Sequence, residues 1–413
     1  MMEVLRTTFG CLTLRNYRLL WVADLAATWA DFMEMLILSW YVLSHTNSPL
    51  LLGFYAALRF SGSLGAPFFG LVVDRFNRGM LYAVSRTVLL VIAASFLLLS
   101  TSDALSPFLV LILSTISGFS KTFDQVVRNS LLPDVVGQDR LQSGLALSRT
   151  GRDITQIAGP ITGGLLMSTF GLSQCFIVIF CLYISSLVLV IRIRLLSNVS
   201  VLKEGRLWAD LWDGIRYIQG RPVLLSLLLL AFIVNIFAYP FSNSLLIVFA
   251  KDVLATDSSG LGALMGFYAA GAISGSLIVA TLSGQMYPGR VMFCAAAVWH
   301  MGIMLMSAVH GFYLSIPVIF VIGTAQSVTV VILLMLIIDL VPYDVRGRII
   351  GLRQLAVYGL PIGLIITGFT AGEIGILSAL ILTCIMGLIS LVVILICWPE
   401  ILKSKQSLVS DNL

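Results

Sequence analysis

The sequence predicts an all-α membrane protein with twelve transmembrane helices, arranged as two pseudo-symmetric six-helix bundles. Three observations predict this fold class: the composition, the number of apolar runs and an internal repeat. Of the 413 residues, 59% are hydrophobic and only 11% are charged, whereas a soluble domain carries about 25% charged residues. No hydrophilic segment is long enough for a separate soluble domain, so we expect the chain to cross the bilayer many times.

Apolar runs of about 20 residues, the length that crosses the hydrocarbon core as a helix, occur twelve times. We number them spans 1 to 12. They cover residues 19–43, 50–73, 80–100, 107–130, 143–169, 171–191, 223–249, 261–283, 291–309, 313–339, 350–372 and 376–398. The short connections between them favour helices that pack as antiparallel neighbours.

Basic residues predict the orientation and the division into domains. With the N-terminus inside, nearly all loop Lys and Arg residues fall on the inner side, and the outer loops hold only Lys251. This excess predicts cytoplasmic termini in a bacterial inner membrane. We expect an N-terminal bundle (1–191), a cytoplasmic linker (192–222), a C-terminal bundle (223–398) and a cytoplasmic tail (399–413). An apolar stripe at 207–218 predicts an amphipathic helix in the linker.

An internal repeat supports two parallel halves. The stretch "LLGFYAALRFSGS" (Leu51–Ser63) opens span 2, and "LMGFYAAGAISGS" (Leu264–Ser276) lies in span 8. Two six-helix halves related by an axis along the membrane normal account for such a repeat. The first copy has Arg59 where the second has Ala272, so the helix framework can form without this charge. We therefore infer a local role for Arg59.

Three charged residues lie near one depth in the membrane. Asp31 is about 18 Å along span 1, Glu34 follows on nearly the same face, and Arg59 is about 14 Å into span 2. A charge at mid-bilayer costs at least about 2.5–3.5 kcal/mol. Two carboxylates and one guanidinium leave one acid without a full counter-charge, which predicts reversible protonation and proton coupling. A static ion pair that fixes helix packing is the alternative.

Spans 4 and 5 carry a second set of charges. Lys121, Asp124 and Arg128 share one face of span 4 at helical spacing. Span 5 contributes Arg149, Arg152, Asp153 and Gln156. Because lipid would expel so many charges, we expect them to face water or one another.

Three motifs resemble the major facilitator superfamily of transporters. They are "GLVVDRFNRG" (Gly70–Gly79), "GPITGG" (Gly159–Gly164, with Thr155 where a first glycine is usual) and "LRNYRLLW" (Leu14–Trp21). The last, with Asp31, "LLPDVV" and "RGR", resembles the subgroup of enterobactin exporters and macrolide efflux proteins. The likeness runs from Leu14 to about Leu391. The second-half loop "SGQMYPGR" departs from the pattern because it lacks Asp-Arg.

The resemblance assigns roles to three groups of residues. It implies a cytoplasmic gate of Asp74, Arg75, Arg78 and Arg128, although a loop that only obeys the positive-inside rule is the alternative. It implies an antiporter motif of Gly159, Pro160, Gly163 and Gly164, which close helix packing also explains. It implies a substrate cavity lined by Lys121, Asp124, Arg149, Arg152, Asp153, Gln156, Asn235, Tyr239, Asn243, Gln326 and Arg353. Lys121, Arg149 and Arg152 fit an inner gate equally well.

These observations favour a proton-coupled exporter of a small amphipathic organic molecule, such as a siderophore or a drug. A lysophospholipid or organic-anion transporter is the alternative within transport, and a non-transporting scaffold or sensor is the alternative outside it. Its expected partners are protons, the substrate and the bilayer, with no nucleic acid, and we expect a monomer. Six scattered cysteines and three distant histidines predict no metal site, cofactor or enzymatic centre.

Overall fold

The computed structural model describes residues 10–193, 216–281 and 287–403. This part of the chain is almost entirely helical and holds twelve long helices, which we name α1 to α12, at the positions of the twelve spans. The predicted linker helix at 207–218 lies largely outside the described residues, as does the tail beyond residue 403. The fold is therefore all-α, as the sequence predicts.

Nine of the helices are continuous. They are α1 (Arg15–Thr46), α3 (Arg78–Thr101), α4 (Pro107–Val136), α5 (Leu141–Phe170), α6 (Leu172–Ile191), α8 (Ser258–Thr281), α9 (Pro288–Met306), α10 (Phe312–Leu340) and α12 (Ile376–Cys397). Three others are interrupted. They are α2 (Pro49–Phe60, then Ala66–Arg75), α7 (Pro222–Phe237, a π-helical turn at Phe241–Leu245, then Leu246–Asp252) and α11 (Tyr343–Ala356, then Gly359–Ile374).

Most of these helices can cross a membrane by length and composition. Of the described helices, 8 pass this test, or 9 if the two pieces of α2 form one span. The long helices α1, α4 and α5 do not pass. They carry the intramembrane charges predicted from the sequence, which lower their mean hydropathy. Three helices that hold charged residues of the candidate site are thus among those that do not pass.

Large apolar side chains are exposed along the helices. Leu98, Phe108 and Ile396 are 68%, 70% and 74% exposed. In water such a surface would drive association, whereas lipid tails solvate it without cost. This exposure fits the all-α membrane fold.

Contacts group the helices into two compact units. Unit 1 holds α1, α2 from Leu58 onward, α3 to α6 and Asp257–Gly266 at the start of α8. Unit 2 holds Ser48–Ala57 of α2, α7, α8 from Phe267 onward and α9 to α12. Within unit 1, α1 packs mainly on α5 and α6; within unit 2, α9 packs mainly on α10 and α12. The division into bundles 1–191 and 223–398 stays a prediction.

Two indole groups and a glycine face fix α1 against α5. The Nε1 atom of Trp21 donates to the carbonyl of Leu147 at 3.0 Å. The Nε1 atom of Trp29 donates to the hydroxyl of Thr162 at 2.9 Å. The α5 glycines leave room for this approach. As a result α1 is held at two levels. Asp24 lies between them, and Asp31 and Glu34 lie just beyond the second.

Candidate functional site

Four charged side chains from three helices meet in unit 1. We name Asp31, Glu34, Arg59 and Lys121 the Asp31 cluster. Arg59 pairs with Asp31, and its Nη1 atom is 3.7 Å from Oε1 of Glu34. The Nζ atom of Lys121 is 2.7 Å from Oδ1 of Asp31 and 2.8 Å from Oε1 of Glu34. The side chains of Glu34 and Arg59 are 2% and 8% exposed, so the cluster is largely closed to its surroundings.

Two glycines bring α2 and α4 together at this cluster. A Cβ atom on Gly118 would overlap the carbonyl oxygen of Arg59, and one on Gly62 would overlap the carbonyl of Gly118. Only glycine permits such a close crossing of backbones. Since Lys121 follows Gly118 by about one turn, the crossing places its ammonium group beside the residues that Arg59 contacts.

The structure corrects the charge count of this site. The sequence predicts Arg59 as the single cation beside Asp31 and Glu34 and places Lys121 in the substrate cavity or an inner gate. Lys121 in fact bridges both acids, so two cations balance two carboxylates when all four are ionised. The error arose because the rotation of α4 about its own axis is not visible in the sequence.

A second ionic group lies toward the N-terminal end of α1. We name Asp24, Tyr82, Arg86, Asp124 and Arg128 the Arg86 cluster. Arg86, with a side chain 2% exposed, is 2.8 Å from Asp24 through Nη2 and 3.1 Å from Asp124 through Nε. The hydroxyl of Tyr82 donates to Asp24, and an Nη1 atom of Arg128 is 3.6 Å from the same carboxylate. Each charge in the cluster is thus matched.

The sequence alone did not single out Tyr82 or the two charged residues Asp24 and Arg86 of the Arg86 cluster. Arg86 is a charge inside the apolar run of span 3, and Asp24 interrupts span 1 about two turns before Asp31. An intramembrane charge is a functional or structural signal by itself. Applying that rule to every span would have found both residues, although not their pairing.

The two clusters form a ladder between α1 and α4. Asp24 and Asp31 are seven residues apart on α1, and Lys121 and Arg128 are seven apart on α4. Seven residues span about 10.5 Å of helix. The antiparallel helices pair Asp31 with Lys121 and Asp24 with Arg128. Matched spacing therefore places an ion pair on each of two levels.

The predicted residues of α5 divide into exposed and half-buried ones. Arg149 is 3.1 Å from Asp153 one turn later, and its side chain is 74% exposed. Arg152 and Gln156 are half-buried. Arg152 interacts electrostatically with Asp31 and Arg128, so it lies on the side of the ladder. Arg149 lies away from it.

The predicted polar residues of the second half use much of their hydrogen-bonding capacity locally. The amide of Asn235 donates to the Ala231 carbonyl at 2.7 Å, and that of Asn243 donates to the Tyr239 carbonyl at 2.9 Å. The ring of Tyr239 stands edge-on to Trp299, with centroids 5.1 Å apart. Gln326 and Arg353 are half-buried. These residues all belong to unit 2.

The predicted gate residues lie at the end of α2 and the start of α3. Asp74 and Arg75 are exposed. Arg78 is 2.8 Å from Asp134 and donates to the Ser130 carbonyl at 3.2 Å. The resemblance also assigns Arg128 to the gate, and the structure places it beside Asp24, because the α4 face that carries it turns toward α1. The gate itself stays a prediction.

The glycines of the motif at 159–164 face two different helices. A Cβ atom on Gly163 would come within 3.2 Å of the Met33 Cα atom on α1, and one on Gly159 within 3.3 Å of the Met33 amide nitrogen. One on Gly164 would overlap the carbonyl of Ser258 at the start of α8. Pro160 is buried between these contacts. Close packing, the alternative given above, is one function of this motif.

Solved transporter structures share this fold. A bacterial homologue of the human lysosomal transporter Spinster, in an inward-facing and unoccupied conformation, matches with a TM-score of 0.74 at 13% identity, covering 97% of this chain and 98% of that one. The nucleoside transporter NupG, in a mutant form, matches with a TM-score of 0.75 at 13% identity, covering 93% and 100%. At such identities the likeness establishes the fold alone.

Sequence comparison extends this likeness to the family. The uncharacterized MFS-type transporter YfiS of Bacillus subtilis (strain 168) is 24% identical over 360 residues, which cover 84% of each protein. The family model described as transmembrane secretion effector, a group within the major facilitator superfamily, matches residues 6–412. A match over nearly the whole chain shows membership. The protein therefore belongs to the transmembrane secretion effector family and is a multi-pass secondary transporter of a small molecule, not an enzyme.

Proposed function

We propose that this transporter is a proton-coupled exporter that exchanges protons for a small amphipathic organic molecule, such as a siderophore or a drug. The Asp31 cluster carries the proposal. Two carboxylates meet two cations there, with Glu34 almost fully buried. Burying four charges costs free energy unless they are paired. Because charged residues inside membrane spans are usually functional, we expect this cluster to do more than fix helix packing.

Protonation changes the charge balance of this cluster. With both carboxylates ionised the cluster is neutral, and one added proton leaves it with a net positive charge. The cations come from α2 and α4 while both acids lie on α1. A bound proton thus weakens the ties of α1 to its neighbours and favours a different arrangement of the helices. Such a difference in proton affinity between two states is what coupling requires.

Export is favoured by the family and by the motif in α5. The matching family is described as a secretion effector, and "GPITGG" resembles the antiporter motif of the superfamily. The resemblance to enterobactin exporters and macrolide efflux proteins suggests the cargo. On this proposal the termini are cytoplasmic and the protein lies in a bacterial inner membrane.

Substitution of the two acids tests the coupling. Asp31→Asn and Glu34→Gln each remove a proton-binding group while keeping the size of the side chain. We expect each to lower proton-driven export by about tenfold or more, the equivalent of about 1.4 kcal/mol of coupling. The measurement is proton release from proteoliposomes, reported by a pH-sensitive dye, on addition of macrolides, siderophores and amphipathic dyes.

The exposed Asp139, on the short turn before α5, supplies the matched control. Asp139→Asn should export at the wild-type rate. Wild-type export by both the Asp31→Asn and Glu34→Gln variants, with intact folding, would leave the static ion pair as the role of the cluster.

A further inference from the structure

The second half of the chain carries an arginine whose surroundings differ from those of the charges in the first half. Arg353 lies in the first piece of α11 and is half-buried. Its Nε atom is buried and has no hydrogen-bond partner. No carboxylate lies within ion-pair distance of it among the residues that the structure describes. This contrasts with Arg59, Arg86 and Lys121, each of which contacts two acids.

A group of neutral polar residues on α7 and α8 reaches Arg353 through Tyr239. Tyr239 interacts electrostatically with Arg353 and also with Tyr268, whose hydroxyl lies beside Ser242. The Asn243 amide donates to the Ser242 hydroxyl at 3.2 Å. Ser242 and Asn243 lie within the π-helical turn Phe241–Leu245, a local widening that is frequent at functional sites, and Tyr239 precedes it. Among the described residues, this group offers hydroxyl and amide groups and no counter-ion.

A sequence comparison of α5 with α11 gives Arg353 a counterpart. "RDITQIAGP" (Arg152–Pro160) and "RQLAVYGLP" (Arg353–Pro361) each place an arginine at the same distance before a proline. Arg152 also has no ion pair with a described residue, but Asp31 and Asp153 interact with it electrostatically. The two halves therefore repeat the arginine, while only the first half supplies acids near it.

An unpaired guanidinium among membrane helices is costly unless an anion offsets its charge. Its planar donors match a carboxylate or a phosphate-type oxyanion, which it binds through two hydrogen bonds. We propose that Arg353 binds such an acidic group on the exported molecule. This inference depends on the proposed export function and predicts that amphipathic anions are among the exported molecules.

Protection of Arg353 from chemical labelling tests anion binding directly. Phenylglyoxal modifies accessible arginines, and mass spectrometry reports the rate at each residue. In phosphatidylcholine vesicles, we expect benzoate and inorganic phosphate to slow labelling of Arg353 about tenfold at saturation, whereas the neutral isostere benzamide has no effect. The exposed Arg192 should label at one rate throughout. Equal rates with benzoate and benzamide would overturn the inference.

Comparing the export of acidic and neutral compounds tests whether the anion that Arg353 binds is part of the exported molecule. In Arg353→Gln, the export rate of acidic amphipathic compounds should fall about tenfold, and that of neutral compounds should stay the same. Arg353→Lys should retain part of the export of acidic compounds. Wild-type export of acidic compounds by a folded Arg353→Gln protein would overturn the inference. If anions protect Arg353 but a proton gradient drives no export, the proposed function fails and the anion site remains.

A phospholipid headgroup is the other source of an oxyanion. Labelling in vesicles that contain phosphatidylglycerol, without benzoate or phosphate, separates the two sources. We expect Arg353 to label as fast as in phosphatidylcholine alone. Protection by phosphatidylglycerol would assign the anion to the lipid and overturn the assignment to the cargo.

Discussion

At the scale of single residues, Gly118 controls the approach of α2 to α4. Its missing side chain leaves room for the backbone of Arg59, whose carbonyl carbon would lie 2.9 Å from a Cβ atom at this position. The overlap involves backbone on both sides, so no side-chain rotation can relieve it. Gly118 therefore sets the distance across which Arg59 and Lys121 reach Asp31.

Gly118→Ala should lower the free energy of unfolding by about 1–3 kcal/mol, as overpacking of a filled contact does. Thermal unfolding in detergent micelles measures the change. Gly372→Ala, on α11 with nothing within 4 Å of the added atom, is the control and should unfold at or slightly above the wild-type temperature. Equal stability of the Gly118→Ala and Gly372→Ala proteins would contradict the close crossing.

Asp257 directly precedes α8 and caps the first turn of this helix. Its Oδ1 atom accepts from the Gly260 amide at 3.0 Å and the Ser259 hydroxyl at 2.7 Å. Burial alone would raise its pKa, but these hydrogen bonds to the ionised form outweigh it and hold the pKa below the ordinary 3.8. The ionised cap therefore stabilises the fold above that pH.

Asp257→Ala should reduce the free energy of unfolding by about 1 kcal/mol at neutral pH, the usual effect of losing a helix cap. Because the folded-state pKa is depressed, the stabilisation is lost as the pH falls through it, and the two proteins should converge below about pH 4. Unfolding midpoints at neutral and acid pH measure this. A difference that stays constant with pH would show that the charge of Asp257 contributes nothing.

At the scale of helices, the Arg86 cluster joins α1, α3 and α4. Its guanidinium lies between Asp24 and Asp124, and Ser85 donates to Asp124 at 2.6 Å. The pairing of each charge with an opposite one suits a static brace. The ladder then has two levels of different character: a closed brace at Arg86, and the proposed proton site at Asp31.

Arg86→Met should lower the free energy of unfolding by about 3–5 kcal/mol, because it leaves two buried carboxylates without their cation. Arg149→Met removes an exposed arginine that pairs with Asp153 one helical turn away. It should lower the free energy of unfolding by less than about 0.5 kcal/mol. Denaturant unfolding compares the two variants. Adding Asp24→Asn and Asp124→Asn to Arg86→Met should restore part of the loss, and a further loss would contradict the pairing.

At the scale of the whole molecule, we expect the predicted cytoplasmic gate to control turnover. Asp74 ends α2 as an exposed carboxylate with Arg75 beside it. Asp74→Asn should slow export about tenfold, because the closed state would lose one charge-assisted hydrogen bond. The affinity for substrate should stay the same. Transport rates and equilibrium binding, measured on the same protein, separate the two effects. Unchanged turnover would remove Asp74 from the transport cycle.

The sequence by itself predicts the helices and most of the residues at the site. Hydrophobic runs, loop charges and charged residues inside spans are local features, so they locate the twelve helices and single out Asp31, Glu34 and Arg59 without any tertiary information. The internal repeat likewise identifies Arg59 as an addition to one half. The same rule, applied throughout, also finds Asp24, Arg86 and Arg353.

Only the tertiary structure decides which charges pair. Glu34 and Lys121 are 87 residues apart, and Asp24 and Arg86 are 62 apart. Their contacts depend on how far each helix is rotated about its axis and how it is displaced along its neighbour. Glycine crossings such as that of Gly118 with Arg59 set those values, through contacts between segments that no local pattern connects. For the same reason only the tertiary structure shows that Arg353 has no ion pair with an acid among the described residues.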